Sequence, residues 1–161
     1  MRLFWITAAL SGIISFLTDR LAAVVLTHRI SILGSFAGLE LSFNPGIAWG
    51  VRLPAGIQEA AIWIALFVVV ILAYRTSDKR QVTRGKSLVT DHLSLATFSY
   101  GLIVGGGIAN IIDRLGDGVV TDFLQVGTFP VFNVADSCVT VGVGLLLLAA
   151  LMDKKHVVKS K

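Results

Sequence analysis

Apolar residues run almost unbroken through four stretches of this chain of 161 residues, at 3–26, 57–74, 93–112 and 135–152. Each is about 18–24 residues long, the length a helix needs to cross roughly 30 Å of hydrocarbon. Asp19 and Arg20 interrupt the first stretch, and Asp136 opens the fourth. The segments between them read differently. "RISILGSFAGLELSF", within 27–56, mixes β-branched and aromatic residues with glycines, a pattern suited to a short strand pair. Such an apolar segment can rest on a membrane surface. In 115–132, "LGDGVVTDFLQVGTFPVF", a Gly-Asp-Gly turn precedes the strand-like "VVTDFLQV". No internal repeat or low-complexity tract is visible. The pattern predicts an all-α membrane protein in one domain spanning 1–161: a four-transmembrane-helix bundle with a small extracytoplasmic β-like cradle.

Small residues within the stretches say how the helices meet. Ala8 and Gly12, and Ser11 and Ser15, are spaced by four and share a helix face. Gly101 and Gly105 form a GxxxG pair in the third stretch. Small residues at this spacing let helices approach closely in lipid.

Composition sharpens the class. Hydrophobic residues make up 55% of the chain and charged residues only 15%, against about 25% charged in a soluble domain. The first stretch has a basic start like a signal peptide. It runs past the usual apolar core without an A-x-A site, so it reads as a retained span. Arg75, Lys79, Arg80, Arg84 and Lys86 fill the 75–92 loop, and Lys154, Lys155, Lys159 and Lys161 the tail. Cytoplasmic segments carry the lysine and arginine excess, so both ends are expected in the cytoplasm and 27–56 and 113–134 outside. The net charge of +4 thus expresses topology, not a nucleic-acid surface. Cys138 is the one cysteine and reads as a small buried apolar residue. His28, His92 and His156 are scattered, so neither a metal site nor a cofactor is expected.

Outside the basic loop and tail, the acidic residues are Asp19, Glu40, Glu59, Asp113, Asp117, Asp122 and Asp136. Ionisable groups beside lipid are costly and point to function by default. In "GGGIANIIDR", Gly106, Asn110 and Arg114 recur every four residues and line one helix face, with Asp113 adjoining. Substrate binding and a plain capping and ion-pair role both fit them. Asn44 in "FNPGIAWG" fits a site or a simple turn. In "FNVADS", Asn133 or Asp136 fits a helix N-cap, and the helix dipole favours a carboxylate there. Capping does not explain Asp122 in its apolar, strand-like segment. Two close carboxyl groups share one proton. The ionised one can activate water while the protonated one donates to a carbonyl oxygen. This chemistry requires neither metal nor covalent nucleophile. Ser137, the rival nucleophile, has no histidine or lysine nearby in sequence.

"FNPGIAWG", "GGGIANIIDR", "VVTDF" and "FNVADS", in this order between four spans, resemble the lipoprotein signal peptidase (signal peptidase II) family over nearly the whole chain. That family comprises membrane-embedded aspartic endopeptidases of bacteria. They cut signal peptides from prolipoproteins carrying a diacylglyceryl group. The resemblance implies that Asp122 and Asp136 are catalytic. It also implies that Asn44, Gly106, Asn110, Arg114 and Asn133 surround the substrate and that Asp19 gives structural support. The implied partners are lipid-modified prolipoproteins and membrane lipids. The chain is expected to act as a monomer in the bacterial inner membrane, with its site at the outer face. Two departures stand out. Where the family has D-Q-x-x-K, this chain has "DRLAA", with Arg20 for the glutamine and Ala23 for the lysine. Ala109 replaces a glycine before Asn110. A small transporter or a non-catalytic lipid-binding scaffold remains the rival reading. A transporter, however, requires a polar route through the spans, and the inner halves of spans two to four are almost wholly apolar.

Overall fold

The computed structural model describes the backbone of residues 1–46, 54, 56–82 and 87–159, and the side chains of these except at 79–82, 87–92 and 153–159. Among the described residues four helices form: α1 (Arg2–Val25), α2 (Ile57–Val82), α3 (Ser87–Asp117) and α4 (Val134–Lys159). Each contains a segment long and apolar enough to cross a membrane: Arg2–Val25, Ile57–Asp78, Leu93–Asp117 and Val134–Met152. Their lipid-facing perimeter is apolar, with Leu17, Val24, Phe67 and Leu147 among the exposed side chains. The expected four-helix membrane fold is therefore present.

The helices overrun the apolar stretches. The basic loop expected at 75–92 is largely helical, because α2 continues to Val82 and α3 begins at Ser87. Arginine, lysine and glutamine propagate a helix well, so the change to polar residues marks a change of surroundings and not a helix stop. Arg84 and Lys86 lie outside the described residues. At its other end α3 runs to Asp117 and stops before Gly118, whose φ of 82° only glycine adopts freely.

Helix α3 is the centre of the bundle, and its glycines explain why. Gly101 and Gly105 press on Phe4, Thr7, Ala8 and Ser11 of α1. Gly106 meets the Ala135 carbonyl and Cys138 of α4, and Gly107 meets Leu66 of α2. Consecutive residues point about 100° apart on a helix, so the run "GGG" serves three neighbours. Buried hydroxyls cost little here. Thr7, Ser11, Thr97 and Ser99 donate to the carbonyl four residues earlier at 2.7–2.8 Å.

At one end of the bundle lies a three-stranded antiparallel sheet: β1 (Ile30–Leu33), β2 (Ala37–Asn44) and β3 (Val120–Val126). The strand pair read within 27–56 is β1–β2, and the strand-like "VVTDFLQV" contributes β3. The β2–β3 register places Ser42 opposite Asp122 and Asn44 opposite Val120. Phe123 anchors the sheet against Ala22 and Leu26 of α1 and its continuation.

Substituting Gly105 by alanine tests this packing. The new methyl meets Ser11 and the Ala8 carbonyl, and overpacking costs about 1–3 kcal/mol. Gly144 has open space at the same point, so its alanine variant loses nothing and gains helix propensity. Thermal unfolding in detergent should show Gly105→Ala melting lower than the parent and Gly144→Ala melting at or above it.

Candidate active site

The sheet end of the bundle gathers polar side chains that the sequence scatters over more than a hundred positions. Asn133 caps α4: its Oδ1 accepts the backbone N–H of Asp136 at 2.9 Å. Asp136, in the first turn, is therefore not the cap, and its carboxylate is available for other contacts. Its Oδ1 accepts the Asn110 Nδ2–H at 2.8 Å. Asn110 Oδ1 in turn accepts the Asn133 Nδ2–H at 2.9 Å. Asn110, Asp136 and Asn133 close a ring between α3 and the start of α4. Gly106, one turn before Asn110, removes the side chain that would hold α4 away.

Strand β3 brings in the second carboxylate. Asp122 is 1% exposed, its Oδ1 has no hydrogen-bond partner among the described residues, and the Asn44 side chain lies near enough to favour its ionised form. Asn44 also makes its turn, since its Oδ1 accepts the Gly46 N–H at 2.9 Å. The turn reading and the site reading of Asn44 are thus compatible. Arg114 donates to the Gly46 carbonyl at 2.7 Å and so fixes the same turn. Residues 47–50 of that motif lie outside the described residues.

The electrostatics follow from burial. Removal from water pushes the Asp122 carboxyl up to about 7, the neighbouring Asn44 side chain opposes this, the charge of Asp136 adds to it, and that of Arg114 opposes it. Asp19 is fully buried on α1, near enough to feel Asp122 and Asp136, and neither of its oxygens has a hydrogen-bond partner among the described residues. Arg20 turns away from it and pairs with Asp113, while Ala23 is exposed.

Beside the carboxylates lies a cleft of about 1120 Å³. Asn44, Asn110, Arg114, Asp122 and Asp136 line its polar part. Ile62, Leu66 and Val69 of α2, with Ile103 and Val139, line its apolar wall. All of the sequence-selected polar residues except Asp19 and Asn133 border this space. Two contributors escaped the sequence reading. The α2 wall lies in a uniformly apolar stretch that gives no sign of which face opens to a cavity. Asp113 was noticed only as Arg114's neighbour, although its Oδ2 accepts the Thr121 N–H at 2.6 Å, one residue before Asp122.

Residues 5–152 match the family model described as signal peptidase (SPase) II. The chain is 30% identical over 161 residues to the lipoprotein signal peptidase of Chlorobium phaeovibrioides, covering 90% of this chain and 87% of that one. It is 38% identical over 138 residues to that of Symbiobacterium thermophilum, covering 82% of each. Among solved structures, a bacterial membrane enzyme superposes with a TM-score of 0.74 at 23% identity, over 97% of this chain and 92% of that one; this likeness concerns the fold.

The raised Asp122 carboxyl makes stability depend on pH. Unfolded, it ionises near 3.8; folded, it keeps its proton to about 7. The folded state binds more protons in that window, so stability falls as pH rises from about 4 to about 7. Melting temperatures in detergent should decline across this range, and Asp122→Asn should flatten the decline.

Proposed function

The chain belongs to the signal peptidase II family of prolipoprotein-processing peptidases, and we propose that Asp122 and Asp136 carry out the hydrolysis with one water between them. The observation that carries this reading is that two carboxylates from different elements, a strand and a helix, meet the same polar cluster beside an apolar cleft.

Two adjacent carboxyl groups keep one proton between them. The ionised member takes a proton from water as it attacks the scissile carbonyl carbon. The protonated member donates to the carbonyl oxygen, giving a tetrahedral diol. As the diol collapses, one of its hydroxyls returns a proton to the carboxylate that had donated, the proton taken from water goes to the departing amide nitrogen, the C–N bond breaks to give acid and amine, and the pair again holds one proton. Asn110 and Asn133 hold Asp136 in place for this, and Asn44 lies beside Asp122. Arg114 sets the wall of the cleft through Gly46, and Gly106 lets α4, which carries Asp136, pack closely on α3 beside Asn110. Asp19 supports the site from α1. All these groups come from one chain, so a single copy suffices.

The apolar α2 wall suits a substrate whose acyl chains remain in the bilayer, namely a prolipoprotein carrying a diacylglyceryl group. The membrane arrangement follows from the basic residues beyond the spans. Both ends of the chain face the cytoplasm, and the sheet and cleft lie at the outer face of the bacterial inner membrane. Transporter and scaffold readings do not fit a peptidase family.

Purified protein in detergent should cleave a diacylglyceryl-modified prolipoprotein peptide at its signal-peptide junction. The unmodified peptide should react at least about tenfold more slowly, since each buried methylene contributes roughly 0.8 kcal/mol. Equal rates for the two forms contradict the proposed binding mode, and cleavage of neither contradicts the activity.

A further inference from the structure

Asp113 and Arg20 take no part in the chemistry above, yet they meet where the catalytic strand enters the site. Asp113 lies near the end of α3, its side chain 2% exposed. One of its oxygens accepts the Thr121 N–H at 2.6 Å. The other pairs with the Arg20 guanidinium from α1. The Thr121 carbonyl is held as well, by Asn133 Nδ2–H at 3.3 Å. Both backbone polar groups of Thr121 are therefore gripped, and the next residue is Asp122. Arg20 is itself placed by Phe16, its guanidinium carbon lying 5.5 Å from that ring's centre.

We propose that Arg20 and Asp113 are positioning residues for Asp122: the arginine holds the Asp113 carboxylate, and that carboxylate fixes the strand backbone just ahead of the catalytic group. The proposal rests on the reading of Asp122 as catalytic. Charge assistance is what makes it effective. A buried carboxylate with a guanidinium on one oxygen and an N–H on the other has a single comfortable orientation, and such hydrogen bonds are short and strong. Without the cation, the carboxylate is left buried and uncompensated, and it can swing toward water and release Thr121. Arg20 reaches across from another helix, so it also transmits the α1–α3 packing to the strand. Its side chain is half exposed, so truncating it opens no buried cavity.

The experiment is steady-state cleavage of the lipid-modified precursor peptide by folded, monodisperse variants in detergent. Arg20→Ala should lower kcat by about 10–100-fold with KM little changed, the scale expected when a reacting group is displaced by a fraction of an ångström. Arg20→Lys keeps the charge and should restore most of the loss. Asp113→Asn should lower kcat similarly, and adding Arg20→Ala to it should cost nothing more, because both act through one contact. A purely structural pair would lower the melting temperature of Arg20→Ala and leave kcat unchanged. That result, or independent losses in the double variant, overturns the proposal. Failure of the parent protein to cleave the precursor would instead overturn the peptidase reading on which the proposal stands.

Discussion

The hydrogen-bonded ring of Asn110, Asp136 and Asn133 is the interaction on which the site depends. Asn110 uses its amide N–H on Asp136 and its carbonyl on Asn133, while Asn133 uses its own carbonyl to cap α4 at Asp136. Polar groups beside hydrocarbon have no water to turn to and must satisfy one another. The ring does this for the α4 carboxylate, and Asn133 extends it to the backbone of β3. An aspartate in the first turn of a helix also gains from the helix dipole. Removing any one member leaves a buried partner unsatisfied, so the geometry of the carboxylate and the packing of α3 on α4 are held by the same bonds.

The ring forms only because α3 approaches α4 closely, and Gly106 is the reason. A methyl there would meet the Ala135 carbonyl and Cys138, one turn from Asn110 and beside Asp136. The same helix meets α1 through Gly101 and Gly105 and α2 through Gly107. Van der Waals contact between small residues, which drives helix association in lipid, thus sets the frame in which the polar groups meet. The apolar cleft follows from this arrangement, because α2 touches α3 but leaves room toward α4 and β3.

Much of this was legible in the sequence, for identifiable reasons. The four spans announced themselves by length and apolarity, and the glycine spacing on α3 pointed to close packing. Asp122 stood out because capping could not explain a carboxylate in an apolar strand. Helix ends were harder to read. The basic residues after Tyr74 looked like a loop, yet α2 continues through them to Val82, since leaving the membrane does not end a helix. The role of Asn133 as the α4 cap was open beside that of Asp136 until the backbone direction at that turn was known. Arg20 stood out only as a departure, an arginine where the family pattern has glutamine, with Ala23 in place of the lysine. Its contact with Asp113 depends on how α1 leans on α3, which spacing along one chain does not reveal.

The central claim is that Asp122 and Asp136 activate one water jointly. The direct measurement is turnover of a diacylglyceryl-modified precursor by Asp122→Asn, Asp136→Asn and the double variant, each shown to be folded by thermal unfolding. Asparagine keeps the size of the side chain, and at position 136 it can still accept the Asn110 N–H. General acid–base contributions are about 10²–10⁴-fold each, so each single variant should lose at least about 10³-fold in kcat. The double variant should lose little more, because residues acting as a unit are non-additive. Near-normal turnover by either well-folded single variant would contradict the account.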